Sequence, residues 1–217
     1  MGDTQSVSIS VPEGLADIKL EQYKKFIMMA NEENGDEQAL YHFCGLTPAQ
    51  QQGMRKQDLN EIQNAIGLAL NEKPPLTSTF KYRGVEYGFH PKLEDISLGE
   101  YIDLEEYLKE PYKHAEKILG VLYRPITRKV YGKYDIENYN PDKHTGLGFQ
   151  ELGADVFVGC LLFFYRLELK LLTASLPSLV KPAMSQPLTD KPSSQESGVG
   201  IQPYIKLLEA ISLKLMQ

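Results

Sequence analysis

The chain has 217 residues, 42% hydrophobic and 24% charged, enough for one medium domain or a domain with an appendage and unlike a disordered chain. Its 23 basic and 29 acidic residues leave a net charge of −6, which argues against nucleic-acid binding by overall charge. Residues 1–110 carry 10 basic and 19 acidic side chains, net −9, and residues 111–217 carry 13 and 10, net +3, so the halves either attract each other or face different partners.

The chain begins with Ser6, Val7, Ser8, Ile9, Ser10 and Val11, whose alternation predicts a short strand ended by Pro12 and Gly14. Asp17 is placed to cap a helix running to about residue 30. A short helix over 38–44 is stopped by Gly45, and Thr47-Pro48-Ala49-Gln50 has the pattern of a capping box with proline at the first helical position. Leu59, Ile62, Ile66 and Ala69 or Leu70 form the stripe of a helix over 56–71. Residues 77–82 and 85–89 flank Arg83-Gly84 and read as a β-hairpin. Ser97 and Glu100 form a second capping box before a helix whose apolar face is Tyr101, Leu104 and Leu108. Pro111 breaks it, and another helix is expected over 112–123. Residues 126–140 read as one strand and a loop, and 141–148 as a connector. The helix over 152–175 is apolar nearly all round in its first half and is expected at the centre of the fold.

After residue 176 the composition shifts. Pro177, Pro182, Pro187 and Pro192, with several Ser and Gln, predict a flexible linker over 177–200. A final amphipathic helix over 201–217 carries the stripe Tyr204, Leu207, Leu208, Ile211 and Leu215. Alone it is marginal in water, so it must bury that stripe on its own body, a second copy or a partner. The expected fold is therefore α+β and mainly α: a helical domain with a small β-hairpin or sheet over 1–176, then the linker, then the helix. A weak echo between residues 15–23 and 93–101 reads as two similar helix entries rather than a duplication.

Chemistry is sparse. Cys44 and Cys160 form no short-spaced pair, which excludes a disulfide framework and predicts free thiols in a reducing compartment. His42 and Cys44 lack a matching ligand pair, so no metal is expected, and no nucleophile motif or glycine-rich phosphate cradle occurs, so neither catalysis nor a cofactor is expected. The N-terminus shows no secretory signal, and Gly2 and Ser6 match a myristoylation site only weakly. The apolar run 156–165 is too short to span a bilayer, so no membrane partner is expected. Residues 94–110 hold seven carboxylates and one lysine; Asp103, Glu105 and Glu106 read as a solvated helix face or a docking surface for a basic partner. Residues 113–133 interleave six cations with Tyr112, Tyr123, Tyr131 and Tyr134, a composition that can bind single strands, although a protein partner fits the acidic first half better. Arg124, at a helix exit, is placed to cap carbonyls or anchor a carboxylate such as Glu100 or Asp103.

Three segments carry a resemblance: Tyr87-Gly88-Phe89-His90-Pro91, Leu98-Gly99-Glu100-Tyr101-Ile102-Asp103-Leu104 and Val121-Leu122-Tyr123-Arg124-Pro125-Ile126. With the later Phe157, Phe163 and Phe164, they resemble a group of tailed-bacteriophage proteins over residues 7–176. The resemblance implies a non-enzymatic phage assembly protein, a tail or baseplate assembly chaperone that binds a viral structural protein such as the tape measure or a baseplate component. The alternative it leaves open is a structural virion component, a head–tail connector or baseplate subunit. The expected contacts are Tyr204, Leu207, Leu208, Ile211 and Leu215, then Asp103, Glu105 and Glu106. The expected location is the host cytoplasm or the virion, with homo-oligomerisation as a further option.

Overall fold

The computed structural model describes residues 9–29 and 35–179. The C-terminal stripe Tyr204, Leu207, Leu208, Ile211 and Leu215, most of the linker and residues 6–8 of the first expected strand lie outside the described residues. Ile9 to Val11 are not in a strand. The fold is mainly α with one four-stranded antiparallel sheet.

The N-terminal part is helical: α1 (Leu20–Met29), α2 (Gly35–Cys44), α3 (Pro48–Gly53) and α4 (Lys56–Leu70). α3 starts as expected, with Thr47 accepting from the Gln50 amide and the Gln50 side chain accepting from the Thr47 amide. α1 does not. Residues Leu15–Asp17 form a 3-10 turn, Asp17 accepts from Glu13 N instead of capping, and the helix begins at Leu20. The cause is tertiary: Leu20 N donates to Leu152 O at 2.7 Å, and Ala154 N donates to Ile18 O at 2.8 Å. These bonds hold residues 18–20 extended until they clear the neighbouring segment.

The sheet is a meander in the order β1 (Thr79–Tyr82), β2 (Val85–Phe89), β3 (Tyr123–Val130), β4 (Lys133–Ile136). The first hairpin is the expected one, turning at Arg83-Gly84 with φ of 49° and 81°. The second corrects the sequence reading, which expected one strand and a loop over 126–140. Here Tyr131 and Gly132, with φ of 49° and 77°, make a second two-residue turn of the kind that suits the twist of paired strands. Tyrosine is a poor signal for such a turn, and Pro125 inside the run lowers its strand reading. A register shift between Ile126 and Arg128 bends β3 where its buried half gives way to an exposed arm.

Between the hairpins lie α5 (Leu98–Tyr107) and α6 (Ala115–Leu122), which passes directly into β3. α6 starts three residues later than expected, because residues 112–114 form turns after Pro111. A short α7 (Pro141–His144) leads to α8 (Ala154–Leu179), whose backbone continues past residue 176. α8 is the central helix: Phe157, Cys160 and Phe164 are buried against Leu119, Leu122, Tyr123 and Phe89. Burying an aromatic ring of this size contributes about 2–3 kcal/mol. The close fit of α6 on α7 depends on Gly120, where a Cβ would stand 2.0 Å from His144 O.

Candidate functional site

The three segments that carry the resemblance converge on one buried polar cluster. His90 follows directly on the end of β2, Glu100 occupies the first turn of α5, and Arg124 is the second residue of β3. Burial here comes from the elements themselves: His90 N donates to Leu122 O at 2.8 Å, joining the end of β2 to the end of α6. All three residues are at least nine-tenths buried.

Glu100 has two jobs. Its Oε2 accepts from Ser97 N at 2.7 Å, closing the expected capping box, and its Oε1 lies 2.6 Å from Arg124 Nη1. Of the two carboxylates expected to anchor Arg124, Glu100 is the one the structure brings to it, while Asp103 accepts from the Tyr139 hydroxyl. The contact is an ion pair off the hydrogen-bonding direction. Glu100 Oε1 and Arg124 Nε have no hydrogen-bond partner. The Arg124 guanidinium also lies over the Tyr139 ring, 5.8 Å from its centroid. Burial lowers its pKa, and Glu100 opposes that shift. His90 Nδ1 accepts from Lys92 N at 3.3 Å, which places the ring proton of the neutral form on Nε2, 3.6 Å from Glu100 Oε1. Burial holds His90 below its usual value of 6.5, against the pull of Glu100.

Asp103 belongs to this cluster and not to a free docking face. It is half-buried and accepts from the Tyr139 hydroxyl, whose pKa is raised by burial and then by that carboxylate. One turn further round α5 it points toward the 137–139 segment, while Glu106 stays exposed and pairs with Lys109. Glu105 is half-buried beside the Tyr101 hydroxyl. Of the three carboxylates expected on the docking face, only Glu106 is thus fully open.

An open cleft of about 960 Å³ lies over the cluster. His90, Glu100 and Arg124 line it, with Lys133, Tyr134 and Tyr139 on the sheet side. Tyr134 is fixed there, its one hydroxyl proton shared between Phe89 O at 2.9 Å and Ser78 O at 3.1 Å. Its ring covers Gly88, where a Cβ would meet ring carbon Cε2 at 2.5 Å. Within the cleft the Ser97 hydroxyl accepts from Glu100 N, and His90 Nδ1 accepts from Lys92 N. Sequence reasoning missed His90, because an isolated histidine before a proline carries no local signal of what faces it.

The basic and aromatic run over 113–133 is largely absorbed by the fold. Tyr123 is buried, its hydroxyl donating to Thr77 O, and Arg124 is in the cluster. Lys113 pairs with Glu110, Lys129 with Glu86, and Lys117 lies over the Tyr107 ring. Arg128, Lys133 and Tyr131 remain open at the second hairpin.

Cys160 is buried and Cys44 half-buried, and burial raises both thiol pKa values. Among the described residues no group of three or more His, Cys, Asp or Glu is placed to hold a metal ion, and no helix is long and apolar enough to cross a membrane. Comparison with protein-family models, with curated proteins and with solved structures finds no match.

Proposed function

We propose that the chain is a non-enzymatic bacteriophage assembly protein, a tail or baseplate assembly chaperone that holds a virion protein through apolar helix contacts. The observation that supports this reading is that the segments carrying the phage likeness meet in His90, Glu100 and Arg124, where Glu100 is shared between the α5 cap and Arg124. Glu100 is committed to Arg124 and to the α5 cap, and His90 to Lys92 N and Glu100. A catalytic centre needs a nucleophile or base free to meet a substrate. The Glu100–Arg124 contact joins α5 to β3, and in this reading the work is left to surfaces. The partner in this reading is the tape measure or a baseplate component, met in the host cytoplasm.

The amphipathic stripe Tyr204, Leu207, Leu208, Ile211 and Leu215 is the contact in this proposal. The test is a phage carrying Leu207→Asp and Ile211→Asp in the full chain. Tail or baseplate assembly should fail while the variant chain accumulates in folded form, read by far-UV circular dichroism of the purified protein. Normal particle yield with both substitutions would refute the contact.

A further inference from the structure

The second hairpin is built at a cost. Tyr131 is fully exposed, at 101% of its reference area, and sits at φ 49°, a backbone region that a bulky side chain occupies at a penalty of about 1 kcal/mol or more. Asparagine or glycine would make the same turn more easily. Val130 beside it is 40% exposed, and Arg128 and Lys133 are exposed on the two strands, with Asp135 in register opposite Arg128. The tip is therefore an apolar point whose rim, two cations and one carboxylate, is basic on balance. By contrast, Arg83, at the matching position of the first hairpin, lies over the Tyr82 ring, 5.1 Å from its centroid.

A complementary surface exists on the same chain. Leu98 and Ile102 are one helical turn apart on α5 and exposed at 73% and 53%. Glu105 and Glu106 follow at the next turn of that face, and Glu94 precedes it in the acidic half of the chain. This is an apolar strip with a rim that is acidic on balance, in which Glu106 pairs with the exposed Lys109 and Glu105 is half-buried.

We propose that the β3–β4 tip of one copy docks on the Leu98–Ile102 face of α5 in a second copy. Val130 and Tyr131 would cover Leu98 and Ile102, with Arg128 and Lys133 toward Glu105 and Glu106. Charge complementarity selects this occupant. A single-stranded nucleic acid is disfavoured, because one open ring and two open cations are a small footprint on a chain of net charge −6. The contact joins two different surfaces, so reciprocal docking closes a two-fold dimer and one-way docking builds a larger ring or an open chain of copies. The inference stands independently of the phage reading.

The test uses the full chain and sedimentation velocity over a concentration series. The wild type should associate with rising concentration. One variant, Arg128→Glu with Lys133→Glu, reverses the tip; another, Glu105→Lys with Glu106→Lys, reverses the face. Each alone should associate about thirty-fold more weakly, two favourable pairs having become repulsive. Mixing the two should restore association, since the acidic tip of one variant meets the basic face of the other. A photo-crosslinking residue at position 131 should capture residues 98–106 of another copy. A monomeric wild type, a reversal variant that associates normally, a mixture that fails to recover, or cross-links only elsewhere would each overturn the proposal. So would retention of a labelled single-stranded oligonucleotide that depends on Arg128 and Lys133, which would assign the tip to nucleic acid.

Discussion

Removing one partner of the Glu100–Arg124 pair should cost far more than removing both. The two side chains are 4% and 5% exposed, and their charged atoms approach to 2.6 Å. Arg124→Met strands the Glu100 carboxylate in a buried site, a defect that costs about 3–5 kcal/mol. Glu100→Leu strands the guanidinium and also loses the arm that accepts from Ser97 N, adding about 1 kcal/mol for the cap. For a domain of this size, 4 kcal/mol corresponds to a fall in Tm of roughly 8–16 °C. The double variant Glu100→Leu, Arg124→Met places two apolar side chains of similar volume in contact. It should be about 2–3 kcal/mol more stable than either single variant, leaving mainly the loss of the Ser97 cap. Urea unfolding followed by far-UV circular dichroism gives all four corners of the cycle. Single variants within 1 kcal/mol of the wild type, with strict additivity in the double, would show that the pair is solvated and does not join α5 to the sheet.

Other expectations follow from particular contacts. Gly120→Ala drives a Cβ into His144 O, 2.0 Å away, and backbone on backbone cannot give way cheaply, so about 3 kcal/mol or more of stability should be lost in the same unfolding assay. Tyr131→Asn should leave the fold unchanged or about 0.5–1 kcal/mol more stable, by relieving the positive φ of an exposed side chain, while weakening self-association in sedimentation. Burial holds His90 and His114 below 6.5, so the unfolded chain takes up their protons first as pH falls. The stability they contribute is present above about pH 6.5 and declines below it, and His90→Gln should make that decline shallower in unfolding measured between about pH 7 and 5.

What the sequence made legible was local chemistry. Both capping boxes, the Arg83-Gly84 hairpin and the central apolar helix were marked by residues that act within a few positions of themselves. The Glu100–Arg124 pair was legible because a capping-box glutamate and an arginine at a helix exit each have a spare charged group. The failures were tertiary. Asp17 loses its capping role because residues 18–20 bond to Leu152 and Ala154, more than a hundred positions away. The second hairpin hid behind a tyrosine in a position that favours asparagine, and Asp103 looked solvated until the 137–139 segment folded back to give it Tyr139. His90 acquired its role only because β2 ends against α6, a pairing with no local marker.

The proposed role as an assembly chaperone is tested most directly by quantitative mass spectrometry of purified phage particles alongside infected-cell lysate. A chaperone is present in the lysate and missing from the particle. Recovery from particles at a fixed copy number would contradict that reading and make the chain a structural subunit of the virion.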